Sequence, residues 1–276
     1  MSQGNTVAHI LANQSIYEPR FTAILYHLLF RKDFRTFIKE KSGFDLSGYI
    51  SHDCFAHVNQ ELIKSAKRKK PGYRSWDDSE IDMMLSDILL CRSPHDESIL
   101  IQWPRTKDGG VMIPGTDAWV EIFKSDNWEN DLPEEHIETI RNNREQILER
   151  ATLINSEADL LIITREKVIL VENKVKDKLN EKQAMKYQIM LEMLSRFYGD
   201  SPSAQFLLIN SSGSTPESIK LLKPFDTAVL SWKDINLWAQ TKLPSSDQTY
   251  LRTIIANASE HKDWESSDQP DAWYYD

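Results

Sequence analysis

Two acidic residues and one lysine stand at the ends of two short apolar runs in the middle of the chain. Asp159 lies near the start of the first run, residues 158–164, and Glu172 and Lys174 lie near the end of the second, residues 167–175. Side chains two residues apart in a strand share a face, so Glu172 and Lys174 point together. The two residues between the runs predict a tight hairpin turn, and counting outward from that turn places Asp159 opposite Glu172. The pattern predicts that both carboxylates and the ammonium meet at one edge of a hydrophobic sheet.

Such a cluster is suited to holding a divalent metal ion. Without an additional cation the two carboxylates would repel each other, and burial would raise the pKa of at least one. Mg²⁺ prefers oxygen ligands and keeps several waters, which suits Asp159, Glu172, the backbone carbonyl of Asn173 and a phosphate oxygen. The ion stabilises phosphoryl charge and activates a water, which Lys174 can orient. Glu-x-Lys alone is common in solvated strands, so the prediction of phosphodiester hydrolysis depends on the joint position of the three residues.

The segment after the second run predicts a helix over residues 177–197, and its buried stripe contains two polar residues. Gln183 and Tyr187 lie one turn apart on the face that packs against the sheet. A buried glutamine needs hydrogen-bond partners. Two interpretations remain open: local backbone satisfies both side chains, or they line the cleft and bond Glu172 or a substrate phosphate.

Residues 157–187 (EADLLIITREKVILVENKVKDKLNEKQAMKY) resemble the core of the PD-(D/E)XK nucleases. The resemblance is to the subgroup with RecB-type motifs, and a looser similarity extends to about residue 240. It implies a restriction-endonuclease-like fold and dependence on Mg²⁺ or Mn²⁺. Ala158 stands where the family pattern has proline, a departure that this superfamily commonly tolerates. The residues that match the motifs, and to which the resemblance assigns catalytic roles, are Asp159, Glu172, Lys174, Gln183 and Tyr187, with Asp159 and Glu172 as metal ligands and Lys174 at the attacking water.

Families of this type often add a third acid from an early helix. Glu18, followed one turn later by Thr22, resembles the Glu and Thr of the opening helix in uncharacterised bacterial members, and we prefer it as the further metal ligand and catalytic residue. Glu80 has a similar helical context. Glu157 is a third alternative. Glu157 shares the face of Asp159 only if its strand begins before residue 158. Glu18 and Glu80 can instead be ordinary acids of a first helical turn, where the helix dipole favours negative charge.

Basic residues near the predicted centre are candidates for contacts to a nucleic-acid backbone. A second group belongs to a basic run, residues 64–76, whose two aromatic side chains could stack on a base. A solvated basic loop is the alternative interpretation of that run. The candidate contacts are Lys176, Lys178, Lys182 and Lys186 near the centre, and Lys69, Lys70 and Arg74 in the run.

Helical and β-rich patterns alternate along the chain, which predicts an α/β protein. We expect a central mixed β-sheet flanked by helices, which with the resemblance becomes a restriction-endonuclease-like core. The expected organisation is a mainly helical N-terminal region (1–130) that wraps the core, a nuclease core (131–258) and an acidic, aromatic tail (259–276). Residues 93–133 are expected to be irregular with one hairpin. The predicted helices span about 18–41, 79–90, 134–149, 177–197 and 232–240, and the predicted strands span 158–164, 167–175, 205–210 and 226–231.

Composition bounds the class of protein. The 276 residues are 40% hydrophobic and 27% charged, which is typical of a globular chain, and the net charge of −9 argues against simple coating of nucleic acid. Two cysteines cannot form a disulfide framework. No apolar run is long enough to cross a membrane, and the first residues do not resemble a secretion signal. We therefore expect a cytoplasmic protein without a membrane partner.

These observations predict a Mg²⁺-dependent nuclease that cleaves DNA as an endonuclease. A role in a bacterial cell against foreign DNA or in repair follows only from what the superfamily often does. An RNase with the same centre is an alternative, because the chemistry does not involve the sugar 2′ position. Another alternative is a nuclease-like binding module in a larger assembly, with the tail as a contact to a partner protein. A homodimer is also expected of many such enzymes, since two strands need two centres.

Overall fold

The computed structural model describes residues 18–57, 77–92, 99–125, 127–174, 179–197 and 203–243, together with residue 255. Within these residues the chain is an α/β protein with one five-stranded mixed sheet flanked by helices, which confirms the predicted class. None of the helices in the described part is long and apolar enough to span a membrane.

The sheet has the strand order β1-β2-β3-β4-β5. β1 pairs with β2, and β2 with β3, in antiparallel orientation, whereas β4 and β5 run parallel to β3. A parallel connection between adjacent strands needs a crossover, and a long helix supplies it between β3 and β4. The strands are β1 (Tyr49–His57), β2 (Glu157–Thr164), β3 (Lys167–Asn173), β4 (Ser203–Asn210) and β5 (Asp226–Ser231).

Helices cover both faces of this sheet. We number the described helices in chain order, and two short 3₁₀ helices accompany them at Asn127–Asp131 and Glu217–Leu222. The helices are α1 (Glu18–Leu28), α2 (Lys32–Ser42), α3 (Asp78–Leu89), α4 (Asp117–Lys124), α5 (Glu134–Asn142), α6 (Arg144–Ile154), α7 (Glu181–Phe197) and α8 (Trp232–Lys242).

Alternation along the strands divides the hydrophobic core into two layers. Leu161 and Leu170 pack with α3, α6 and α7 on one face. Leu160 and Val171, one residue away in each strand, pack with α1, α2 and α8 on the other. The apolar runs are therefore buried on both sides, which explains why they lack the alternating polar residues of a half-exposed sheet.

The predicted hairpin is confirmed. β2 and β3 pair with Leu160 opposite Val171 and Leu161 opposite Leu170, and the chain turns at residues 165–166. The Thr164 hydroxyl accepts hydrogen bonds from the amides of Glu166 (3.3 Å) and Lys167 (2.9 Å), which closes the turn.

The N-terminal region supplies more of the sheet than the sequence indicates. β1, with the sequence YISHDCFAH, is an edge strand of the described sheet, and α1 and α2 pack on the same core. Its polar residues interrupt the apolar run by which a strand is predicted. An edge strand can carry such residues because it pairs with a neighbour on one side only. The region predicted as helical thus shares one sheet with the predicted nuclease core.

Several element boundaries differ from expectation. The first predicted helix is two helices, α1 and α2, because Arg31 is extended and the Arg35 guanidinium donates to the carbonyls of Leu29 (2.6 Å) and Phe30 (3.0 Å). The third is divided between α5 and α6 at Asn143. The described part of residues 93–133 contains the expected hairpin, bridged at 105 and 111, but also α4, which the sequence did not indicate. The tail at 259–276 lies outside the described residues.

Candidate active site

The hairpin brings Asp159 and Glu172 together on the face covered by α7. Continuing the register from Leu160 and Val171 places Asp159 directly opposite Glu172, and residues so paired share a face. The two carboxyl groups are close enough for a side-chain hydrogen bond. The backbone N–H of Asn173 donates to Asp159 Oδ2 at 2.8 Å, which fixes the Asp159 side chain against the end of β3.

Glu172 is almost fully buried, with 2% of its surface exposed, and both of its oxygens have a polar partner. Lys174 Nζ lies 2.7 Å from Glu172 Oε1, and the Tyr187 hydroxyl donates to Oε2. The backbone N–H of Lys174 also donates to the carbonyl of Ile209 at 2.7 Å, so the parallel pairing continues one residue beyond β3. A buried carboxylate is tolerated when it is paired and hydrogen-bonded, as it is here.

Asp159 is the group whose ionisation the surroundings oppose. Burial raises the pKa of the half-buried Asp159 carboxyl well above its usual range, and the negative charge of Glu172 raises it further. The Asn173 N–H and the Lys174 ammonium act in the opposite direction but do not compensate. A further positive charge at this position would let both carboxylates ionise.

Asn173 connects the site to the opposite face of the sheet. Its side chain is fully buried; Nδ2 donates to Thr22 Oγ1 of α1 (3.3 Å), and Oδ1 accepts from Trp232 Nε1 of α8 (2.9 Å). Both helices are thereby tied to the peptide between Glu172 and Lys174. That the Asn173 carbonyl ligates a metal stays a prediction.

The two polar residues of the α7 stripe have different partners. The side-chain oxygen of Gln183 accepts from the Asn180 N–H (3.3 Å), and the Gln183 N–H donates to Asn180 Oδ1 (2.8 Å). This reciprocal arrangement caps the start of α7 and corresponds to the local-backbone interpretation. Tyr187, one turn later, bonds Glu172 and corresponds to the cleft interpretation.

Lys186 was predicted only to contact a nucleic-acid backbone, but its side chain lies beside the residues of the candidate site. Its ammonium donates to the Glu157 carbonyl at 2.8 Å and lies 4.5 Å from the centroid of the Tyr187 ring. Burial lowers the pKa of Lys186, while the charges of Glu172 and Asp159 oppose that shift. The sequence signal was its position beside Tyr187 on the helix that faces the hairpin.

The candidates for a third acid are placed differently. α1 begins at Glu18, one helical turn before Thr22, and the Glu18 side chain lies outside the described part. Glu80 completes a capping box, because its Oε2 accepts from the Asp77 N–H at 2.9 Å. Glu157 has an exposed side chain at the start of β2. The choice among the three stays a prediction.

Of the seven residues predicted to contact a nucleic-acid backbone, two lie in the described part of the chain, Lys182 and Lys186. Lys182 is exposed on α7. The remaining candidates other than Lys186 lie outside the described residues: Lys69, Lys70, Arg74, Lys176 and Lys178.

The donor set fits a hard divalent cation. Among the described residues no three His, Cys, Asp or Glu side chains form a group that could hold a metal by themselves. Asp159 and Glu172 supply two carboxylates, and the remaining ligands would be main-chain, water or substrate oxygens, which Mg²⁺ accepts.

Comparison of the chain with protein-family models, with curated proteins and with solved structures found no match.

Proposed function

We propose that this protein is a metal-dependent nuclease of the PD-(D/E)XK type, with a restriction-endonuclease-like core and DNA as its substrate. The observation that carries the proposal is the meeting of Asp159, Glu172 and Lys174 at one edge of a buried sheet, with the Tyr187 hydroxyl on Glu172. A mixed sheet flanked by helices is compatible with that class of fold.

Asp159 and Glu172 would hold a Mg²⁺ or Mn²⁺ ion. When bound, the ion would stabilise the negative charge on the phosphoryl oxygens and lower the pKa of the attacking water. The raised pKa of Asp159 supports this role, because a carboxylate that burial and a like charge keep from ionising gains most from a cation. Tyr187 and Lys174 keep the Glu172 carboxylate in one orientation from both of its oxygens.

Lys174 has a second part in the reaction. In hydrolysis a water oxygen bonds to phosphorus while the bond from phosphorus to the leaving oxygen breaks; the water loses a proton to solvent, and the leaving oxygen takes one up from solvent. The Lys174 ammonium, held at the end of β3, orients that water and stabilises the negative charge that develops on the phosphoryl oxygens.

The test is cleavage by the purified protein. Plasmid, linear and single-stranded DNA and RNA are each incubated with Mg²⁺, Mn²⁺ or EDTA, with wild type beside Asp159→Asn and Lys174→Ala. Glu166→Gln is the matched control, because Glu166 is an exposed acid at the other end of the same hairpin. We expect cleavage of DNA that needs the metal, is lost in the first two variants and is unchanged in the control.

Other outcomes contradict the proposal in distinct ways. Cleavage that persists in Asp159→Asn and Lys174→Ala would come from a contaminant. Cleavage of RNA alone would replace the proposed substrate. Binding of nucleic acid without any cleavage would indicate a nuclease-like binding module instead of an enzyme.

A further inference from the structure

We propose that Lys186 is a second catalytic lysine, which donates a hydrogen bond to an oxygen of the scissile phosphate. The inference rests on the proposed function and deepens it. The sequence suggested only that Lys186 touches a nucleic-acid backbone, whereas the structure places its ammonium among the side chains that would perform the chemistry.

The position of the ammonium is set from two sides. On one side it donates to the carbonyl of Glu157, two residues before Asp159 on β2. On the other it lies 4.5 Å from the centroid of the Tyr187 ring, whose hydroxyl bonds Glu172. Its charge interacts with those of Glu172, Asp159, Lys174 and Glu157. Lys186 therefore stands between the strand that carries one acid and the side chain that holds the other.

The kinds of partner distinguish the two lysines of the centre. Lys174 pairs with a carboxylate, so part of its charge neutralises Glu172. The hydrogen bond of Lys186 goes to a neutral carbonyl, which uses one N–H donor and leaves the positive charge in place. A positive charge with directed donors beside two acids is an arrangement that attracts a phosphate, whose oxygens are anionic acceptors.

Lys182 shows that this placement is not a general property of α7. It lies one turn before Lys186, and its side chain is exposed, whereas Lys186 is half-buried. An exposed ammonium contributes long-range attraction that salt screens. A half-buried ammonium contributes more, because a donor held in place near the developing charge needs no reorganisation during the reaction.

The experiment compares Lys186→Met with wild type and with Lys233→Met, which removes an exposed lysine of α8. Loss of one donor to a transition-state charge costs on the order of 10²-fold in kcat. We expect that loss in Lys186→Met, with KM changed by less than about threefold because the contact matters mainly in the transition state. Lys186→Arg should recover part of the rate, and Lys233→Met should match wild type.

A second readout does not depend on activity. Removing a positive charge beside two carboxylates should tighten Mn²⁺ binding, by at least ~3-fold in calorimetric titration of Lys186→Met. A merely structural lysine would change Mn²⁺ affinity in the opposite direction, because a loosened site binds the ion more weakly.

The outcomes separate this inference from the proposed function. Wild-type kcat in Lys186→Met, or weaker Mn²⁺ binding together with a lower Tm, overturns the role of Lys186 alone while wild-type cleavage and its loss in Asp159→Asn stand. Absence of metal-dependent cleavage by the wild type overturns both.

Discussion

Asp159 and Glu172 carry the same chemical group and share one edge of the sheet, yet their surroundings differ. Glu172 is paired through both oxygens, by Lys174 and Tyr187. Asp159 receives one backbone N–H, and burial opposes its ionisation. The unfavourable free energy of holding two acids together therefore acts mainly on the ionised form of Asp159. For this reason the pH dependence of stability tests the site.

Asp159→Asn should stabilise the metal-free protein at neutral pH. Because the folded-state pKa of Asp159 is raised above its usual value of 3.8, the folded state holds its proton longer than the unfolded state does. Stability is therefore lost as pH rises from about 3.8 through the raised pKa. Asparagine can still accept from the Asn173 N–H without carrying the charge. A gain of about 1 kcal/mol corresponds to roughly 2–4 °C in Tm.

Thermal unfolding in EDTA between pH 4 and 8 measures this effect. The difference between variant and wild type should grow with pH across that window and disappear at its acidic end. A variant that is less stable at pH 8 would show that the Asp159 charge is already compensated.

Tyr187→Phe should destabilise the protein, because it leaves one oxygen of a buried carboxylate without its hydroxyl donor. Such a loss costs about 1–3 kcal/mol in the free energy of unfolding. Urea denaturation measures it, and Tyr26→Phe, which alters a half-buried ring packed against His52, is the control. Equal effects in the two variants would mean that the bond to Glu172 contributes nothing particular.

At the scale of elements, the strands and helices that could be predicted are those with a strong hydrophobic pattern. The hairpin was accessible because two fully apolar runs flank a two-residue turn, and the match of Asp159 to Glu172 follows from counting. β1 was not, because an edge strand with His52 and Asp53 lacks a continuous apolar run. The break at Leu29–Arg31 depends on hydrogen bonds from the Arg35 side chain to carbonyls five and six residues earlier, which a hydrophobic pattern does not encode.

The start of α7 tests whether Gln183 acts as a cap. Asn180→Ala and Gln183→Ala each remove part of one reciprocal pair, so each should cost about 0.5–2 kcal/mol of stability. The double variant should lose less than the sum of the two, since the residues act together. Chemical denaturation of all three variants measures the coupling.

The same variants separate capping from chemistry. Cleavage at a temperature where all are folded should be similar for Asn180→Ala and Gln183→Ala if the pair only starts the helix. A selective loss of cleavage in Gln183→Ala would show that its amide also acts in the cleft, as the resemblance implies.

At the scale of the molecule, the sheet joins segments that are distant in sequence. β1 ends at His57 and β2 begins at Glu157, yet they pair along their length. α1 and α2 cover the face opposite the candidate site, together with α8. The α/β class was predictable from alternating patterns, but the pairing of β1 with β2 was not, because contacts between segments about a hundred residues apart are not encoded in a local pattern.

A fragment of residues 131–258 should therefore fail to fold alone. It would expose the β2 edge that β1 covers and the apolar face that α1 and α2 bury, including Leu160 and Val171. Circular dichroism and urea titration of the fragment and the full chain measure this. A fragment that unfolds cooperatively with a native-like spectrum would show that the region before residue 131 is a separate unit.

Calorimetric titration of Mn²⁺ into the protein tests the central claim most directly. We expect wild type and Glu166→Gln to bind the ion with the same affinity, with Mg²⁺ competing. Asp159→Asn and Glu172→Gln, each of which removes one carboxylate, should bind at least ~10-fold more weakly. Glu166 lies six to seven residues from either acid along the hairpin, or about 20 Å at the rise of a strand. Equal affinity in all four proteins would contradict the account, because the acids at the hairpin ends would then not form a metal site.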